Sequence, residues 1–391
     1  MTAVEWGMRV RFGLRRQGEM MKSKFDSAPS PGKSGPRPRQ SATLRMVARE
    51  AGVSASTVSR IINGTVNVSA GLKHAVEAAI AKFDFRPNAT ARGLALGKTL
   101  TIGVVAQAID SPFYGEGLRG IEACLRQQGY APLFMSGNWH DEDEDRCMRE
   151  FIARGVDGII VFAGRLSDAK LKSYAKDVPI VVTGRRLRAQ GLFSLQIDDQ
   201  HGAMLAVRHL VELGHRKIAF ITGSENHPDA VERLRGYRKA LEDAGIAFDP
   251  RLLAAGDWHE EGGLRATLEL LDSKVKFTAL FCVNDQTAYG ACLALYRKGL
   301  SVPGDVSLIG FDDLPSSAYR LPPLTSVRQS IGELGERSAQ AILQLIAGGR
   351  PRITAPPVEL VMRESTFRNG RNGRGETDRA AKRNSVDEKL V

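Results

Sequence analysis

The sequence predicts an α/β protein preceded by a short helical module, and three observations support this prediction. From Leu100 onward, short apolar runs rich in β-branched residues alternate with longer segments of helical period, as in TIGVV followed by PFYGEGLRGIEACLRQQG. This alternation is typical of parallel sheets covered by helices on both faces. About ten such strands fall within 99–366, a number that favours two similar subdomains. Residues 42–98, in contrast, show helical periodicity and a basic charge.

The charge of the chain is divided between its ends and its middle. The formal net charge is +11; residues 1–98 carry +11, residues 99–366 carry −3 and residues 367–391 carry +3. A cationic module on a near-neutral body suggests a polyanionic partner such as nucleic acid or an anionic membrane. No stretch approaches the ~20 consecutive apolar residues of a membrane span, and arginines interrupt the apolar runs near the N-terminus. We therefore expect a cytoplasmic protein without membrane contact.

Several classes of chemistry are not predicted. The four cysteines form no CxxC pair and have no metal-ligand pattern around them, so we expect reduced thiols and no metal site. The chain has no nucleophile elbow, P-loop lysine motif or HExxH zinc pair, so neither an enzyme nor a cofactor is expected. Residues 1–41 and 367–391 are rich in Pro, Gly, Ser and charge without apolar periodicity, and we expect both to be disordered.

Residues 42–87 predict a helix-turn-helix domain. Residues 43–51 place four apolar side chains on one helical face, and Gly52 permits a tight turn. Ser54 is a good N-cap for the following segment, SASTVSRIING. Ser69 is a second N-cap, and it begins a third helix that closes a small core. The alternative interpretation is an ordinary three-helix bundle with a polar face.

The sequence AGVSASTVSRIINGTVNVS, followed by FDFRPNATARGLALGKTLTIGVV, resembles the DNA-binding head and hinge of the lactose/galactose repressor (LacI/GalR) family of bacterial transcription regulators. The resemblance continues through DSPFY, GVDGII, LGHRKIAFITG, ERLRGY, VPGDVSLIGFDD and PPLTSV to MREST at 362–366. It implies a hinge helix over 88–98 and an effector-binding, dimerising body over 99–366. That body would consist of two Rossmann-like α/β subdomains of periplasmic-binding-protein type. The chain would cross between them near 197, 325 and 355.

The resemblance also implies which residues contact DNA. Ala55, Ser56 and Arg60 would read base edges in the major groove, where Arg60 would donate to a guanine. The residues implied to bind phosphate, which fixes register without reading sequence, are Thr57, Ser59 and Asn63.

A further set of implied contacts lies in the hinge helix. Asn88, Ala91 and Leu94 would face the minor groove, and Leu94 would wedge between base steps and bend the duplex. Without the resemblance, Leu94 would be interpreted as a plain helix-packing residue. Met46 replaces an acidic residue that is common in the first helix, a loss of local capping and not of DNA contact. The implied DNA partner is a near-palindromic operator bound by a homodimer.

The carboxyl ends of the predicted strands carry the candidate ligand contacts, because ligands of such sheets bind beyond those ends. A pyranose presents hydroxyls at its rim and C–H groups on its faces, so its site needs polar groups beside aromatic rings. Phe113 and Tyr114 follow the first strand and would form one wall. The resemblance implies that Trp258 stacks on the ligand, and it implies polar contacts from Arg185, Arg233, Asn284 and Asp312. Gly184 stands where many relatives have an acidic contact, which leaves the ligand class open.

The function expected from these features is a DNA-binding repressor whose operator affinity is controlled by a small molecule, most similar to the galactose type and so tilted toward a hexose or hexoside. Two alternatives stand beside it. A periplasmic-type sugar-binding protein would share the body, but it would need an export signal and would not use a helix-turn-helix. An NAD-dependent oxidoreductase is suggested by the formal GxGxxG at 115–120. However, Ser111-Pro112 predicts the helix start, so these glycines would lie inside the helix, away from a pyrophosphate site.

Overall fold

The computed structural model describes most of the 391-residue chain, namely residues 42–62, 66–85, 97–224 and 227–369. The chain divides into two compact units, residues 1–87 and 88–391. The predictions for residues 1–41, for most of the hinge at 88–98 and for the tail after 369 fall outside the described residues. Among those that are described, no helix is long and apolar enough to cross a membrane.

The first unit is built on three helices around a small apolar core. Val47, Val58 and Val76 are fully buried, one from each helix. The turn between the first two helices contains Gly52, whose φ of +65° lies in the left-handed region that favours glycine. The helices are α1 (Leu44–Glu50), α2 (Ala55–Ile62) and α3 (Ala70–Phe83).

Both predicted serine caps of this unit are present. The backbone N–H of Thr57 donates to Ser54 Oγ over 3.1 Å, and the N–H of Leu72 donates to Ser69 Oγ over 3.4 Å. Each bond satisfies a first-turn N–H that has no partner within its helix. The helix starts expected from sequence therefore match those of α2 and α3.

The first subdomain of the second unit is a five-stranded parallel sheet with helices on its faces. Its elements, in chain order, are β1 (Thr101–Ala106), α4 (Pro112–Gln127), β2 (Ala131–Ser136), α5 (Asp141–Ala153), β3 (Gly158–Phe162), α6 (Asp168–Tyr174), β4 (Ile180–Thr183) and β5 (Leu192–Leu195). The strand order is β2-β1-β3-β4-β5. Strands β3 and β4 are buried along their whole length, as expected for parallel strands covered on both faces.

The second subdomain has a six-stranded sheet. Its elements are α7 (Asp199–Glu212), β6 (Ile218–Thr222), α8 (Pro228–Asp243), β7 (Leu253–Ala255), α9 (Glu260–Asp272), β8 (Ala279–Cys282), α10 (Asp285–Arg297), β9 (Ser307–Asp312), β10 (Thr325–Gln329) and, after α11 (Ile331–Ile346), β11 (Val358–Val361). The strand order is β11-β10-β9-β8-β6-β7. All pairs are parallel except β10 with β11. Strand β11 is thus an antiparallel edge strand.

The chain passes between the subdomains at three places. It leaves the first sheet after β5, returns after Gln329, and leaves again after α11. The second passage lies directly after β10, which belongs to the second sheet. Helix α11 supplies Ile331, Leu334 and Ile342 to the apolar core of the first subdomain. Each subdomain is therefore made of segments that are distant in sequence.

The glycines of the formal GxGxxG lie inside α4, and two of them, Gly117 and Gly120, lie at close packing contacts. Helix α4 begins at Pro112 with Ser111 as its N-cap, as predicted. A Cβ on Gly120 would collide with the carbonyl oxygen of Gly332, and a Cβ on Gly335 would collide with that of Gly117. These glycines let α4 and α11 approach closely, so the pattern has a packing cause.

Candidate functional site

A cavity of about 290 Å³ lies at the carboxyl ends of strands from both sheets. The loops after β1, β2 and β3 line it from the first subdomain, and the loops after β6, β7, β8 and β9 line it from the second. This is the place where open α/β sheets bind ligands. A wider groove of about 1860 Å³ runs along β5, but it contains none of the predicted site residues.

Arg233, on α8, is the buried cation of this cavity. Its side chain is 2% exposed, and its Nε donates to Asp199 Oδ1 over 2.8 Å. Its Nη1 donates to the carbonyl oxygen of Val283 over 2.5 Å and lies 3.8 Å from Asp312 Oδ1. The guanidinium carbon is 3.7 Å from the centroid of the Phe311 ring. These contacts fix the guanidinium in one orientation, as a preformed ligand site requires.

Three carboxyl groups surround this single guanidinium. Burial raises the pKa of Asp312 well above its ordinary value, and Arg233 opposes the shift. Burial also raises the pKa of Asp199 and of Asp229, again against the effect of Arg233. Desolvation penalises the charged form of each acid. This side of the cavity can therefore accept hydrogen bonds from ligand hydroxyls and, where a carboxyl is protonated, donate one.

Asp312 is held at the end of β9 by a strained backbone and by a neighbour. Its φ is +105°, a region that non-glycine residues rarely adopt. Gln329 Nε2 donates to Asp312 Oδ1 over 2.7 Å, and Gln329 is the last residue before the chain returns to the first subdomain. Strain of this kind is typical of functional sites. Asp312 thus connects the cavity to a passage between the subdomains.

An aromatic stack forms another wall of the cavity. The ring of His227 lies 4.4 Å from that of Trp139 and 4.4 Å from that of Trp258, measured between centroids. Trp139 follows β2 of the first subdomain, whereas His227 and Trp258 belong to the second. The indole of Trp258 lies on Gly223, where a Cβ would collide with it. The stack therefore bridges the two subdomains.

Two buried polar side chains hold the loops of the first subdomain. Gln107 Oε1 accepts the N–H of Trp139 over 2.9 Å, and its Nε2 donates to the carbonyl oxygen of Ala163 over 2.9 Å. The carboxylate of Glu144 accepts the N–H groups of Arg165 and Leu166 over 2.8 to 2.9 Å. Both side chains are almost completely buried, so each bond lies in a low dielectric and orders its loop.

Two parts of the chain match known protein families. Residues 43–88 match the family model described as bacterial regulatory proteins, lacI family, and residues 207–366 match that of the periplasmic binding protein-like domain. The HTH-type transcriptional regulator GalR of Escherichia coli (strain K12) is 38% identical over 311 residues, which are 79% of this chain and 90% of that protein. Catabolite control protein A of Priestia megaterium is 34% identical over 75% of this chain and 89% of its own length.

The chain belongs to the LacI family. The solved structures agree with this assignment. The lac repressor dimer bound to operator and the anti-inducer ONPF has a TM-score of 0.76 and 31% identity, covering 84% of this chain and 100% of that one. A complex of the transcriptional regulator CelR with cellobiose has a TM-score of 0.62 and 32% identity. The match covers 83% of this chain and 99% of the CelR chain. The resemblance and the predicted fold class are confirmed.

Membership of the LacI family gives the function in outline. The chain is a DNA-binding transcription regulator with a ligand-binding body. The interpretation as a periplasmic-type sugar-binding protein without DNA function is therefore wrong. The relatives are transcription regulators and not enzymes. Gly117 and Gly120, two of the glycines that suggested an oxidoreductase, have the packing role described above.

Six of the seven predicted ligand contacts line the cavity of this LacI-family chain, and Arg185 does not. The guanidinium of Arg185 donates to the carbonyl oxygens of Gly164 and Leu166 and lies 3.6 Å from Asp168. It secures the loop after β3 and is not among the lining residues of the cavity, but its positive charge opposes the rise in the pKa of Asp229, which does line the cavity. As ligand contacts, the six remain predictions: Phe113, Tyr114, Arg233, Trp258, Asn284 and Asp312.

Asn284 has a structural use that the sequence did not reveal. Its Oδ1 accepts the N–H of Thr287 at the start of α10 over 3.0 Å, and its Nδ2 donates to the carbonyl oxygen of Trp258 over 2.9 Å. Asn284 is therefore a helix cap that also fixes the loop of the stacking tryptophan. Tyr114 is buried, packs edge-on against Phe113 and Phe162, and has a pKa raised well above its ordinary value, first by burial.

The sequence did not single out several side chains that line the cavity. They come from loops after strands, but nothing in their local pattern separates them from other loop residues. Trp139 and His227 meet only when the two subdomains are assembled. The unpredicted lining residues with polar or aromatic side chains are Ser111, Trp139, Arg165, Ser224, His227, Asp229, Asp257, His259 and Gln286.

The predicted base-reading residues lie on α2 of the first unit. Ser56 and Arg60 are exposed and Ala55 is half-buried, while Val58 on the opposite side is fully buried. The predicted phosphate contacts Thr57 and Ser59 are half-buried on the same helix. The remaining predicted DNA contacts lie outside the described residues: Asn63, Asn88, Ala91 and Leu94.

Proposed function

We propose that this LacI-family regulator is a homodimeric repressor that binds a near-palindromic operator. A saccharide bound between the two subdomains would control its affinity for that operator. The observation that carries the proposal is the cavity at the strand ends. The polar side chains of Arg233 and Asp312 and the aromatic ring of Trp258 line it together, and the guanidinium carbon of Arg233 lies 5.3 Å from the centroid of that ring. A pyranose needs both kinds of group, since its rim is polar and its faces are apolar.

The ligand class is supported by the relatives as well as by the cavity. CelR is described in complex with cellobiose, and the lac repressor in complex with ONPG and with ONPF. A hexose or hexoside is the proposed ligand, with contacts from Phe113, Tyr114, Arg233, Trp258 and Asp312. Asn284 would contribute to ligand binding indirectly, because its side chain donates to the carbonyl oxygen of Trp258 and so holds the loop of that residue. The guanidinium of Arg185 donates to the loop after β3, and a contact from Arg185 to the ligand stays a prediction.

The DNA half of the proposal rests on α2. Its exposed side places Arg60 and Ser56 where a major groove would receive them, and the small Ala55 and Ser56 allow close approach. Thr57, Ser59 and Asn63 would bind phosphates. Asn88, Ala91 and Leu94 would enter the minor groove at the operator centre. Since the target is chromosomal DNA, the protein would act in the cytoplasm on the nucleoid.

A second copy of the chain is the proposed occupant of an exposed apolar surface on the second subdomain. Tyr296, Tyr319 and Leu321 are 78%, 87% and 92% exposed. Tyr296 and Leu321 line a cavity of about 290 Å³ together with Cys292 and Leu293. Large exposed apolar patches mark interaction sites. The lac repressor structure is that of a dimer, and a dimer is what a near-palindromic operator requires.

Control by the ligand would follow from its affinity for two arrangements of the subdomains. A ligand shifts such an equilibrium only by the difference between its affinities for the two states. Contacts from both subdomains line the cavity, so closing or opening the cleft changes the contacts that the ligand makes. The Asp312–Gln329 bond at the passage between subdomains is a route by which this change reaches the rest of the body.

Two experiments test the proposed function. Selection from a random duplex library should yield a near-palindromic site, and a saccharide panel should raise the melting temperature of the protein by several degrees through mass action. Selected DNA without symmetry would contradict the dimeric operator complex. Stabilisation by none of the saccharides would contradict the ligand class.

A further inference from the structure

A groove with a volume of about 1860 Å³ runs along β5, the last strand of the first sheet. It is larger than the pockets of about 300–1,000 Å³ that take small molecules. Its lining comes from α6 with the residues after it, from the chain between Arg186 and Gln196, and from the end of α11 with the residues that follow. It shares no lining residue with the cavity at the strand ends. The groove is therefore a separate surface of the first subdomain.

The charged lining of this groove is mostly cationic. Two acids, Asp168 and Asp177, stand against five basic residues, although the body as a whole has more acids than bases. Asp168 itself lies 3.6 Å from the guanidinium of Arg185, which is not part of the lining. The basic lining residues are all exposed: Lys172, Lys176, Arg186, Arg188 and Arg350. The groove therefore carries a net positive charge on a body of the opposite sign.

The backbone that carries two of these arginines is fixed. Leu187, between Arg186 and Arg188, is 5% exposed and belongs to the apolar core. Ser194 Oγ, on β5, accepts the N–H of Leu187 over 3.1 Å and donates to its carbonyl oxygen over 3.0 Å. Because Leu187 is buried and both neighbours are exposed, the two arginines project away from the core.

Most of these cations are available to a partner. Within the described part of the chain, four of them form no ion pair: Lys172, Lys176, Arg188 and Arg350. The fifth, Arg186, donates from Nε to the neutral Oε1 of Gln196 over 2.9 Å, which leaves its charge uncompensated. A row of uncompensated cations attracts an anionic partner.

The groove also has an apolar part. Phe193 and Ile353 are half-buried and pack against the core of the first subdomain, and Val178, Pro179 and Pro351 line the groove beside them. A phosphate backbone or a small anion would use only the cations of such a surface. A peptide segment uses both kinds of contact, because it brings apolar side chains together with its carboxylates.

This chain does not itself supply a suitable segment. Residues 1–41 contain nine basic and three acidic side chains, and residues 370–391 contain six and four, so both carry the wrong charge. The acid-rich start of α5 is already paired: Asp141, Asp143 and Asp145 lie 3.8, 2.8 and 3.1 Å from basic side chains of their own subdomain. Charge complementarity thus favours a segment of a different protein over a second copy.

We propose that this groove is a docking surface for an acidic, partly apolar peptide segment of another protein. The carboxylates of the segment would pair with Arg186, Arg188 and the other basic lining residues, and its apolar side chains would cover Phe193 and Ile353. Electrostatic complementarity of this kind speeds association and selects among partners. Because the groove is separate from the cavity at the strand ends, the regulator would receive a protein signal in addition to its small ligand.

Two double variants distinguish the groove from the net charge of the chain. Arg188→Glu/Arg350→Glu reverses two exposed groove residues. Lys217→Glu/Lys276→Glu is the matched control, because it changes the net charge by the same amount at two exposed cations of the second subdomain that do not line the groove. Unfolding in urea identifies any variant that is simply misfolded.

The test is peptide phage display on the full chain, followed by fluorescence anisotropy with the selected peptides. We expect the wild type to enrich peptides with an excess of Asp and Glu and with apolar residues among them. Arg188→Glu/Arg350→Glu should bind these peptides at least about tenfold more weakly, since attractive charge contacts become repulsive. The control should stay within about twofold. Replacing the apolar residues of a selected peptide by serine should also weaken its binding.

Other results would overturn defined parts of the proposal. No enrichment of acidic peptides, or equal affinity of wild type and Arg188→Glu/Arg350→Glu for them, would show that the groove is not a peptide site. Equal losses in both double variants would show that only net charge matters. Full binding of the serine-substituted peptide, with a loss of non-operator duplex binding in the groove variant alone, would assign the groove to nucleic acid. Self-association of the wild type that the groove variant abolishes, without peptide binding, would assign it to a second copy.

Discussion

Arg233 and Asp199 form a buried ion pair, with 2.8 Å between Nε and Oδ1 and side chains that are 2% and 7% exposed. Asp199 is the first residue of α7, directly after the chain has passed from the first subdomain to the second. Arg233 lines the cavity. The ion pair therefore connects a cavity-lining side chain to the start of the second subdomain. A ligand that moves Arg233 must also change this connection.

Arg233→Met is expected to lower the free energy of unfolding by about 3–5 kcal/mol, because it leaves buried acids without their cation. Protonation of Asp199 and Asp312 would relieve part of this cost. Equilibrium unfolding in urea measures the change. The matched control is Arg235→Met on the same helix, whose exposed ion pair with Glu232 is worth at most about 1 kcal/mol. Equal effects of the two substitutions would contradict the role given to Arg233.

Gly223→Ala should weaken saccharide binding about three- to tenfold, because the added methyl would displace the indole of Trp258 and remove its stacking contact. Calorimetric titration measures the affinity. Gly115→Ala is the control, since Gly115 lies in α4 and a methyl group added there would meet open space. Unchanged affinity in Gly223→Ala would show that Trp258 does not need its present position.

Arg60→Ala should cost about 1–3 kcal/mol of operator binding and relax specificity at one base pair. Arg60 is exposed on α2, and a guanidinium can make two bonds to a guanine edge. Gel-shift titrations on operators changed at one position at a time measure both quantities. Arg49→Ala, on α1, is the control. We expect it to lower DNA affinity by a smaller amount, and by the same amount for every operator sequence. Undiminished discrimination by Arg60→Ala would remove it from base readout.

The stability of the protein should depend on pH through His227. Its pKa is about 3 in the folded protein and near 6.5 in the unfolded chain, so between these values the unfolded state binds more protons. Stability from this group is therefore complete above pH 6.5 and is lost as the pH falls toward 3. Between pH 7 and pH 5 the loss is about 2 kcal/mol.

His227→Gln isolates this contribution, because the glutamine amide does not titrate. Urea unfolding of wild type and variant at pH 7 and pH 5 should show a steeper loss of stability in the wild type. The buried acids have the opposite effect on the slope, but they are common to both proteins and cancel in the difference. Identical pH dependence in the two proteins would show that the imidazole is accessible to protons in the folded state.

The features predicted well from sequence are those with local causes. Ser54 and Ser69 accept first-turn N–H groups, and Pro112 begins a helix, because caps and N1 prolines act within one turn. The alternation of strands and helices likewise follows from periodicity. Strand β11 was not predicted, because a short edge strand has a weak pattern and its pairing with β10 depends on the return of the chain from α11.

The candidate site was only partly predictable, since its residues come from separate loops. Arg233 and Asp312 carry recognisable patterns around them, whereas Trp139 and His227 become neighbours only through the assembly of two subdomains. Arg185 shows the opposite case. The resemblance implies that Arg185 contacts the ligand, and in the structure its guanidinium donates to carbonyl oxygens of the loop after β3.

The most direct test of the central claim is a titration of operator affinity with the saccharide that the wild type binds, in wild type and in Asp312→Asn. Asp312 lines the cavity and is bonded to Gln329 at a passage between subdomains. The wild type should change its operator affinity at least fivefold at saturating saccharide, a typical coupling of ~1 kcal/mol or more. Asp312→Asn should bind the operator normally without saccharide and lose most of this change. An operator affinity that saccharide leaves unaltered in the wild type, or a full response in Asp312→Asn, would contradict the account.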